Sequence, residues 1–175
     1  MKKTLLLLIL ILISSEVFAL RPGIKHYPQP IKAADFTLTD SSGNIHRLND
    51  YRGSVLIINF WATWCVPCRK EIPALKQVWS RLHKENIPLL GIATKDSKAD
   101  IVHFQKENNI EFPLPMDADG KVADEWGVIA VPTAFVVNTR GDIAMRIVGG
   151  DEWNNPELLE SIISLKHQST DKLLH

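Results

Sequence analysis

The sequence predicts an α/β protein in which a mixed central sheet is flanked by helices. Short apolar segments typical of buried strands alternate with longer segments of helical periodicity, and the chain closes with a predicted hairpin and a helix. A length of 175 residues with 45% hydrophobic residues suffices for one domain with its own core. Ten prolines and nine glycines are too few for a low-complexity or collagen-like chain.

The pattern of residues in the N-terminal part of the chain predicts an extended arm and then a β-hairpin. Residues 20–33 carry three prolines and no hydrophobic periodicity, which is typical of an arm. Apolar and polar residues alternate over 35–40, a Ser-Ser-Gly-Asn turn follows at 41–44, and Ile45 and Leu48 continue the pattern. We expect this hairpin to precede the main domain.

The pattern of residues in the central part of the chain predicts two strands, each followed by a helix. The apolar run Val55–Phe60 is typical of a strand that is covered on both faces. A helix is predicted over about Cys65–Lys84, with a kink at Pro73. A second buried strand is predicted over Pro88–Ala93, and a second helix over Ser97–Asn108, capped by its serine.

The pattern of residues in the C-terminal part of the chain predicts a short helix, a β-hairpin and a last helix. The short helix covers about Lys121–Trp126. Strands at Thr133–Val137 and Ile143–Val148 are separated by an Asn-Thr-Arg-Gly-Asp turn signal. Asn155-Pro156 favours the start of the last helix.

Two terminal segments are expected to lie outside the folded domain, which we place at 34–167. Residues 1–19 have a basic start, nine consecutive apolar residues and a Val-x-Ala site, which predicts a signal peptide cleaved after Ala19. Residues 168–175 are predicted to be a frayed tail. An uncleaved membrane anchor from Leu5 to Leu20 is the alternative, although Ser-Ser-Glu interrupts it.

Cleavage of the signal peptide would give a periplasmic or otherwise exported protein in an oxidising compartment, with no stable membrane insertion. The 20 basic and 20 acidic residues give a formal net charge of zero. The chain therefore has no basic field that would indicate nucleic acid as a partner.

The two cysteines, Cys65 and Cys68, form a C-x-x-C pair where a predicted strand passes into a helix. A disulfide across so short a gap stabilises the chain little, so we expect the pair to be reactive rather than structural. At a helix N-terminus the unpaired N–H groups stabilise a thiolate. We expect Cys65 to attack a partner's sulfur and Cys68 to resolve the mixed disulfide. Pro67 would stiffen the loop, and Trp61 and Trp64 would shield the pair.

Several features together resemble the thioredoxin fold. A strand precedes C-x-P-C, a proline follows the second cysteine by five residues, and Val131-Pro132-Thr133 precedes a later strand. In that family the later proline is cis and faces the disulfide. The resemblance therefore assigns this role to Pro132 and implies that the backbone of Val131 pairs with an incoming substrate strand.

The segment Asn59–Pro73 is similar to the TlpA/ResA branch of exported thiol-disulfide oxidoreductases, which includes cytochrome c maturation reductases. That branch adds an N-terminal hairpin and a central insertion, which match Phe36–Leu48 and roughly Ser97–Asp117 here. The segment Val148–Trp153 also resembles the glycine-to-tryptophan segment of TlpA-like members. The resemblance covers about residues 34–166.

The resemblance also implies a role for Glu71. In ResA-like members an acidic residue three positions after the second cysteine tunes the pair, and Glu71 stands there. Asn59 occupies the place of the buried aspartate of cytoplasmic thioredoxins. Glu71 would raise the thiol pKa values when ionised and could accept the proton of Cys68. Its alternative role is a first-turn glutamate that complements the helix dipole.

The sequence hypothesis is thus a thiol-disulfide oxidoreductase that needs no cofactor beyond its Cys65–Cys68 disulfide and no metal. The residues expected to contact substrate are Trp64, Val66, Pro67, Val131 and Pro132. The expected partners are the thiols or disulfides of client proteins and a membrane thiol-disulfide electron donor. No histidine lies between the cysteines, which favours a reductant; apocytochrome c and copper-site assembly factors of cytochrome oxidase are the clients that the resemblance implies.

Three alternatives remain open. A disulfide-forming oxidant would use the same pair in the other direction. A peroxiredoxin-like peroxidase needs a hydroxyl residue three positions before its reactive cysteine, where Ala62 stands, with Thr63 one place off. A Cu(I) chaperone could use two thiolates, but Sco-type proteins space them one residue further apart. A zinc site is not among these alternatives, because it would need two more ligands and the six histidines have no ligand spacing.

Overall fold

The computed structural model describes residues 23–171, which form a six-stranded mixed sheet, a separate two-stranded sheet and four α-helices. The strands are β1 (Gly23–Lys32), β2 (Thr37–Thr39), β3 (Ile45–Arg47), β4 (Leu56–Trp61), β5 (Leu89–Thr94), β6 (Met116–Asp117), β7 (Thr133–Val137) and β8 (Asp142–Val148). The helices are α1 (Val66–Lys84), α2 (Lys98–Glu107), α3 (Lys121–Glu125) and α4 (Pro156–Asp171), with 3₁₀ turns at Leu48–Tyr51 and Asp151–Asn154.

The main sheet has the order β1-β8-β7-β4-β5-β6. Strand β4 lies near its centre, parallel to β5 and antiparallel to β7. Strand β6 is parallel to β5, whereas β8 is antiparallel to both β7 and β1. The predicted mixed sheet flanked by helices is confirmed, and so is the predicted hairpin, whose strands β2 and β3 form the small sheet.

The side chains of β4 alternate between two apolar clusters. Ile57 and Trp61 belong to a cluster that also contains the inner faces of α1, α2 and α4. Ile58 and Phe60 belong to a second cluster, with α3 and the start of the β2–β3 hairpin. All six residues of β4 are buried, because both faces of the strand are covered. This double cover explains the continuous apolar run in the sequence.

Strand β1 differs from the predicted arm over residues 20–33. Gly23–Lys32 is extended and pairs with β8, from Gly23 opposite Val148 to Lys32 opposite Asp142. The register shifts between His26 and Ile31, where the chain has two prolines. Proline has no N–H to donate to a sheet ladder and is tolerated on an edge strand. The sheet therefore takes in residues that precede the domain boundary expected at 34.

The two predicted terminal segments fall largely outside the described residues. The signal peptide over 1–19 lies wholly outside them, and so do residues 172–175. Helix α4 continues through Asp171, into the start of the segment expected to fray. Within residues 23–171, none of the helices is both long and apolar enough to span a membrane.

Helix α1 begins directly after Cys65, which is its N-cap, and it contains Pro73. Pro67 lies in its first turn, where proline removes no intrahelical hydrogen bond. Helix α2 has the predicted serine cap, since Ser97 Oγ accepts a hydrogen bond of 3.1 Å from the backbone N–H of Asp100. Strand β6 was not predicted, because two residues carry no periodicity.

Candidate active site

The two cysteines lie at the junction of β4 and α1 and are joined by a disulfide. The backbone N–H of Cys68 points at Cys65 Sγ, 3.2 Å away, so the first cysteine caps the helix with its sulfur. Such N–H groups and the helix dipole stabilise negative charge on this sulfur. Cys65 keeps 5% of its surface exposed, whereas Cys68 has none. A partner can therefore approach the pair only from the side of Cys65.

The loop before β7 lies against the disulfide. The Val131–Pro132 peptide bond is cis, in agreement with the resemblance to thioredoxins. The carbonyl oxygen of Val131 is 3.6 Å from Cys65 Sγ. Just behind this loop, Thr133 Oγ1 donates a hydrogen bond of 2.7 Å to the carbonyl of Ala130. The fold thus brings the predicted Val131–Pro132 segment directly beside the reactive sulfur.

Three exposed apolar side chains, Trp64, Val66 and Ile129, lie in the segments that carry Cys65 and Val131, and we call them the apolar rim. These side chains are 60%, 59% and 62% exposed. Large apolar side chains at this exposure are candidates for contact with another protein. Sequence reasoning missed Ile129, although it stands only two positions before Val131 in the same loop.

Trp61 does not belong to this rim but to the buried cluster that also contains Cys65 and Cys68. Its side chain is buried, its Nε1 donates a hydrogen bond of 3.1 Å to the carbonyl of Gly91, and its ring packs 5.1 Å from that of Phe104. It points into the core because residues along β4 alternate between the two faces. Only Trp64 of the two tryptophans lies at the surface by the disulfide.

The segment before Cys65 is held by the loop that follows β5. Asp96 accepts two hydrogen bonds from Thr63, one from the backbone N–H at 2.6 Å and one from Oγ1 at 2.9 Å. The indole N–H of Trp64 donates to the carbonyl of Lys95 at 3.2 Å. The hydroxyl of Thr63 is thus hydrogen-bonded to a carboxylate. Ala62, three residues before Cys65, has no hydroxyl group.

Glu71 is a buried carboxyl on α1, with 3% of its surface exposed. Asn59 Nδ2 donates a hydrogen bond of 2.8 Å to its Oε1. Burial raises the pKa of Glu71 to about 7, against the opposing effect of the N–H groups of Asn59 and Trp153, which favour the ionised form. Among the described residues, Glu71 Oε2 and Trp153 Nε1 complete no hydrogen bond of ordinary geometry. Glu71 is therefore a group that changes charge near neutral pH.

The Gly149–Gly150 segment closes over Glu71. A Cβ atom at Gly150 would lie 2.7 Å from Glu71 Cβ and 2.8 Å from Oε2, so only glycine fits without displacement. A cleft of about 430 Å³ opens beside it and is also lined by Pro67 and Lys70. The alternative role for Glu71, as a first-turn partner of the helix dipole, does not match its position, because α1 has no acidic residue in its first turn.

The AhpC/TSA family matches residues 31–146, which is more than half of the chain. The chain belongs to the AhpC/TSA family. A relative from Geobacillus kaustophilus, named thiol-disulfide oxidoreductase ResA, is 33% identical over 117 residues, which are 67% of this chain and 67% of the relative. A ResA of the same description from Bacillus subtilis is 30% identical over 137 residues, 78% of this chain and 75% of that protein.

A solved structure agrees with this family assignment. The thiol:disulfide interchange protein of the thioredoxin family from Chlorobium tepidum superimposes with a TM-score of 0.69 at 25% identity, over 78% of this chain and 99% of that one. The predicted thioredoxin fold and the predicted resemblance to ResA are both confirmed. This AhpC/TSA family member is a ResA-like thiol-disulfide oxidoreductase, and its C-x-x-C pair supports dithiol-disulfide exchange.

Proposed function

We propose that the protein is an exported reductant that transfers two electrons from the Cys65–Cys68 dithiol to disulfides of client proteins. The asymmetry of the pair carries the exchange chemistry, and the lack of a histidine between the cysteines favours the reducing direction. Cys65 is the helix cap and retains a small exposed surface beside the carbonyl of Val131, whereas Cys68 is wholly buried. An accessible, helix-capped thiol suits a nucleophile, and a buried thiol suits the resolving step.

The exchange proceeds in two displacements. The Cys65 thiolate attacks one sulfur of the client disulfide, which forms a mixed disulfide and releases the other client sulfur as a thiolate. Cys68 then loses its proton and attacks Cys65 Sγ. The second client thiolate leaves, and the Cys65–Cys68 disulfide forms. The client gains two electrons and two protons, which balance those lost by the two cysteines.

Glu71 is proposed to accept the proton of Cys68 in the second displacement. A carboxyl whose pKa burial raises to about 7 is present in both charge states near neutrality, which suits a group that takes up and returns a proton. An ordinary exposed glutamate, by contrast, would be ionised throughout and would be a weaker base. Its ionised form would also raise the pKa values of the nearby thiols, because like charges oppose one another.

The apolar rim and the Val131–Pro132 segment are proposed to hold the client. An extended client segment would pair with the backbone of Val131, while Trp64, Val66 and Pro67 contact its side chains. The proposed clients are the disulfides of apocytochrome c or of copper-site assembly factors, as in the cytochrome c biogenesis branch that the sequence resembles. The signal peptide predicted over 1–19 supports export, and an exported reductant requires electrons from a membrane thiol-disulfide donor.

A trapping experiment tests the division of labour between the cysteines. A synthetic peptide with an oxidised C-x-x-C disulfide is mixed with each reduced single-cysteine variant, and adducts are measured by mass spectrometry. Cys68→Ser is expected to accumulate the mixed disulfide, because the resolving thiol is gone, whereas Cys65→Ser is expected to yield far less. Equal adduct formation by both variants would contradict the proposed roles.

The role of Glu71 is tested separately by titrating the thiols of the reduced protein. In Glu71→Gln the thiol pKa values are expected to fall, because the ionised carboxylate no longer opposes thiolate formation. Glu111→Gln, which changes an exposed carboxylate, is the matched control and is expected to leave them in place. Thiol pKa values in Glu71→Gln that equal those of the parent would exclude this role.

A further inference from the structure

The side chain of Asn59 lies near the centre of the main sheet, on the face that α1 covers. Asn59 is 1% exposed, and its cross-strand neighbours are Gly91 on β5 and Ala134 on β7. Ile57 and Ala134 belong to the apolar cluster that contains the inner face of α1. Because residues along a strand alternate between the two faces of a sheet, Asn59 points to the same side as Ile57. Neither cross-strand neighbour has a polar side chain, so a partner for this buried amide has to come from outside the sheet.

Glu71 on α1 is that partner. Asn59 Nδ2 donates a hydrogen bond of 2.8 Å to Glu71 Oε1. Glu71 follows Cys68 by three residues, and both lie on the buried face of α1, where residues three apart are neighbours. The amide therefore fixes the carboxyl on the face of the helix that carries the resolving cysteine.

The amide of Asn59 acts on Glu71 as a hydrogen-bond donor. Its Oδ1 has no partner among the described residues, so the buried side chain leaves its acceptor unused. An unused polar group costs free energy when it is buried, so the stability of β4 does not explain an asparagine at this position. An N–H donor binds an ionised carboxyl more strongly than a neutral one. In agreement, the hydrogen bond from Asn59 lowers the pKa of Glu71, against the larger effect of burial.

The other polar groups around Glu71 do not hold its carboxyl. The indole Nε1 of Trp153 completes no hydrogen bond of ordinary geometry among the described residues. The charged residues that line the cleft beside Glu71 are Lys70, Asp151 and Glu152. In the described part of the chain, none of these three forms an ion pair with Glu71. The amide from β4 is thus the group that positions the carboxyl.

A neutral donor suits position 59 better than an acid. An aspartate there would place a second carboxyl at hydrogen-bond distance from Glu71, and two carboxyls so close do not both ionise near neutral pH. One of them would keep a proton and would be unable to accept another. Asparagine holds Glu71 without competing for its proton.

We propose that Asn59 is the positioning residue of the proton acceptor: its amide holds the carboxyl of Glu71 on the face that carries Cys68 and favours the ionised form, which is the form able to take a proton. This inference rests on the proposed function of Glu71 in the second displacement. The proton passes from Cys68 Sγ to a carboxylate oxygen of Glu71, and the electron pair left on the sulfur attacks Cys65 Sγ. Asn59 keeps its own protons throughout, so it affects the exchange only through Glu71.

Titration of the Glu71 carboxyl by carbon NMR in the full-length oxidised protein tests the hold of the amide. The signal is assigned from its loss in Glu71→Gln, and the parent is expected to titrate with a midpoint of about 7. Asn59→Leu keeps the number of side-chain heavy atoms but has no donor, and its midpoint is expected to rise by at least about one pH unit. Asn59→Asp, the second test should Asn59→Leu fail to fold, makes two carboxyls share one proton, and the upper of their two midpoints is expected to rise at least as much.

Thr94→Val is the matched control, because it removes a buried donor to a different carboxylate. Thr94 Oγ1 donates a hydrogen bond of 3.3 Å to Asp117 Oδ2. The midpoint of Glu71 in this variant is expected to stay within about 0.3 pH units of the parent, since Thr94 does not share a partner with Glu71.

The pH dependence of the exchange tests whether the effect reaches the cysteines. The reduced protein is mixed with the oxidised C-x-x-C peptide, and the release of reduced peptide is followed from about pH 5 to about pH 9. If the Glu71 carboxylate takes the proton of Cys68, the rate rises with the ionised fraction of Glu71. The pH of half-maximal rate in Asn59→Leu is therefore expected to move upward with the Glu71 midpoint, whereas Thr94→Val is expected to follow the parent.

Two results overturn this inference and leave the proposed role of Glu71 in place. One is a Glu71 midpoint in both Asn59 variants that equals that of the parent, and the other is an equal rise in Thr94→Val, which would indicate a general loosening of the sheet. A raised midpoint with an unchanged rate profile has a different meaning. It would remove Glu71 as the proton acceptor, and the inference would fail with it.

Discussion

Replacement of Glu71 by glutamine is expected to stabilise the oxidised protein at high pH and to have little effect at low pH. Burial raises the pKa of Glu71 from an ordinary value of 4.5 to about 7. Below about pH 4.5 the carboxyl is protonated in both the folded and the unfolded chain, so folding carries no ionisation cost. As the pH rises from about 4.5 to about 7, Glu71 loses its proton more readily in the unfolded chain than in the folded one. The wild-type protein is therefore progressively destabilised over this range.

The size of the effect follows from the shift. Each pKa unit corresponds to about 1.4 kcal/mol, so a rise from 4.5 to about 7 costs the folded protein about 3 kcal/mol above pH 7. Glutamine keeps the shape of glutamate and can still accept the hydrogen bond from Asn59, but it cannot ionise. Its new N–H group can also donate to Asn59 Oδ1, which has no partner among the described residues.

The assay is urea unfolding of both oxidised proteins at a series of pH values from 4 to 8. The difference in free energy of unfolding between Glu71→Gln and wild type is expected to grow by about 3 kcal/mol across this range, with most of the growth between about pH 4.5 and 7. Glu111→Gln is the control, and its difference should stay within about 0.5 kcal/mol at every pH. A flat difference for Glu71→Gln would refute the argument that this carboxyl is costly to ionise in the fold.

Three further substitutions test individual contacts, each by urea unfolding at pH 7. Gly150→Ala is expected to cost about 1–3 kcal/mol, because the new Cβ would lie 2.7 Å from Glu71 Cβ while the backbone φ is unstrained; an unchanged midpoint would mean that the segment yields freely. Asp96→Ala is expected to cost about 1–3 kcal/mol, because both hydrogen bonds to Thr63 are lost, whereas the exposed Asp151→Ala should cost almost nothing. Leu75→Ala, at a fully buried position on α1, is expected to cost about 2–5 kcal/mol, and a smaller loss would indicate that the core collapses around the gap.

The strands and helices with strong periodicity could be predicted from the sequence alone. The predicted strand Thr133–Val137 has the observed bounds, and the run at Val55–Phe60 differs from β4 by one residue at each end. These segments are covered on both faces, so their composition alone indicates burial. Strand β1 could not be predicted, because its prolines and polar residues carry no pattern, and it exists only through its pairing with β8.

The site was predictable where its chemistry follows local sequence, and not where it depends on tertiary contacts. The C-x-x-C spacing identified both cysteines, and the resemblance assigned the cis bond before Pro132. Trp61 was expected to shield the pair together with Trp64, but it is buried in the core, because its orientation depends on which face of β4 it occupies. The contact of Gly150 with Glu71 joins residues far apart in the chain, and no local sequence pattern predicts it.

The central claim is that the Cys65–Cys68 pair works as a reductant, and its midpoint potential tests this most directly. The full chain is equilibrated in defined thiol-disulfide buffers, and the reduced fraction is measured by thiol labelling. A potential near that of thioredoxin, roughly −270 mV, is predicted. A potential near about −120 mV would make the protein a disulfide-forming oxidant and would contradict the direction of electron transfer proposed for it.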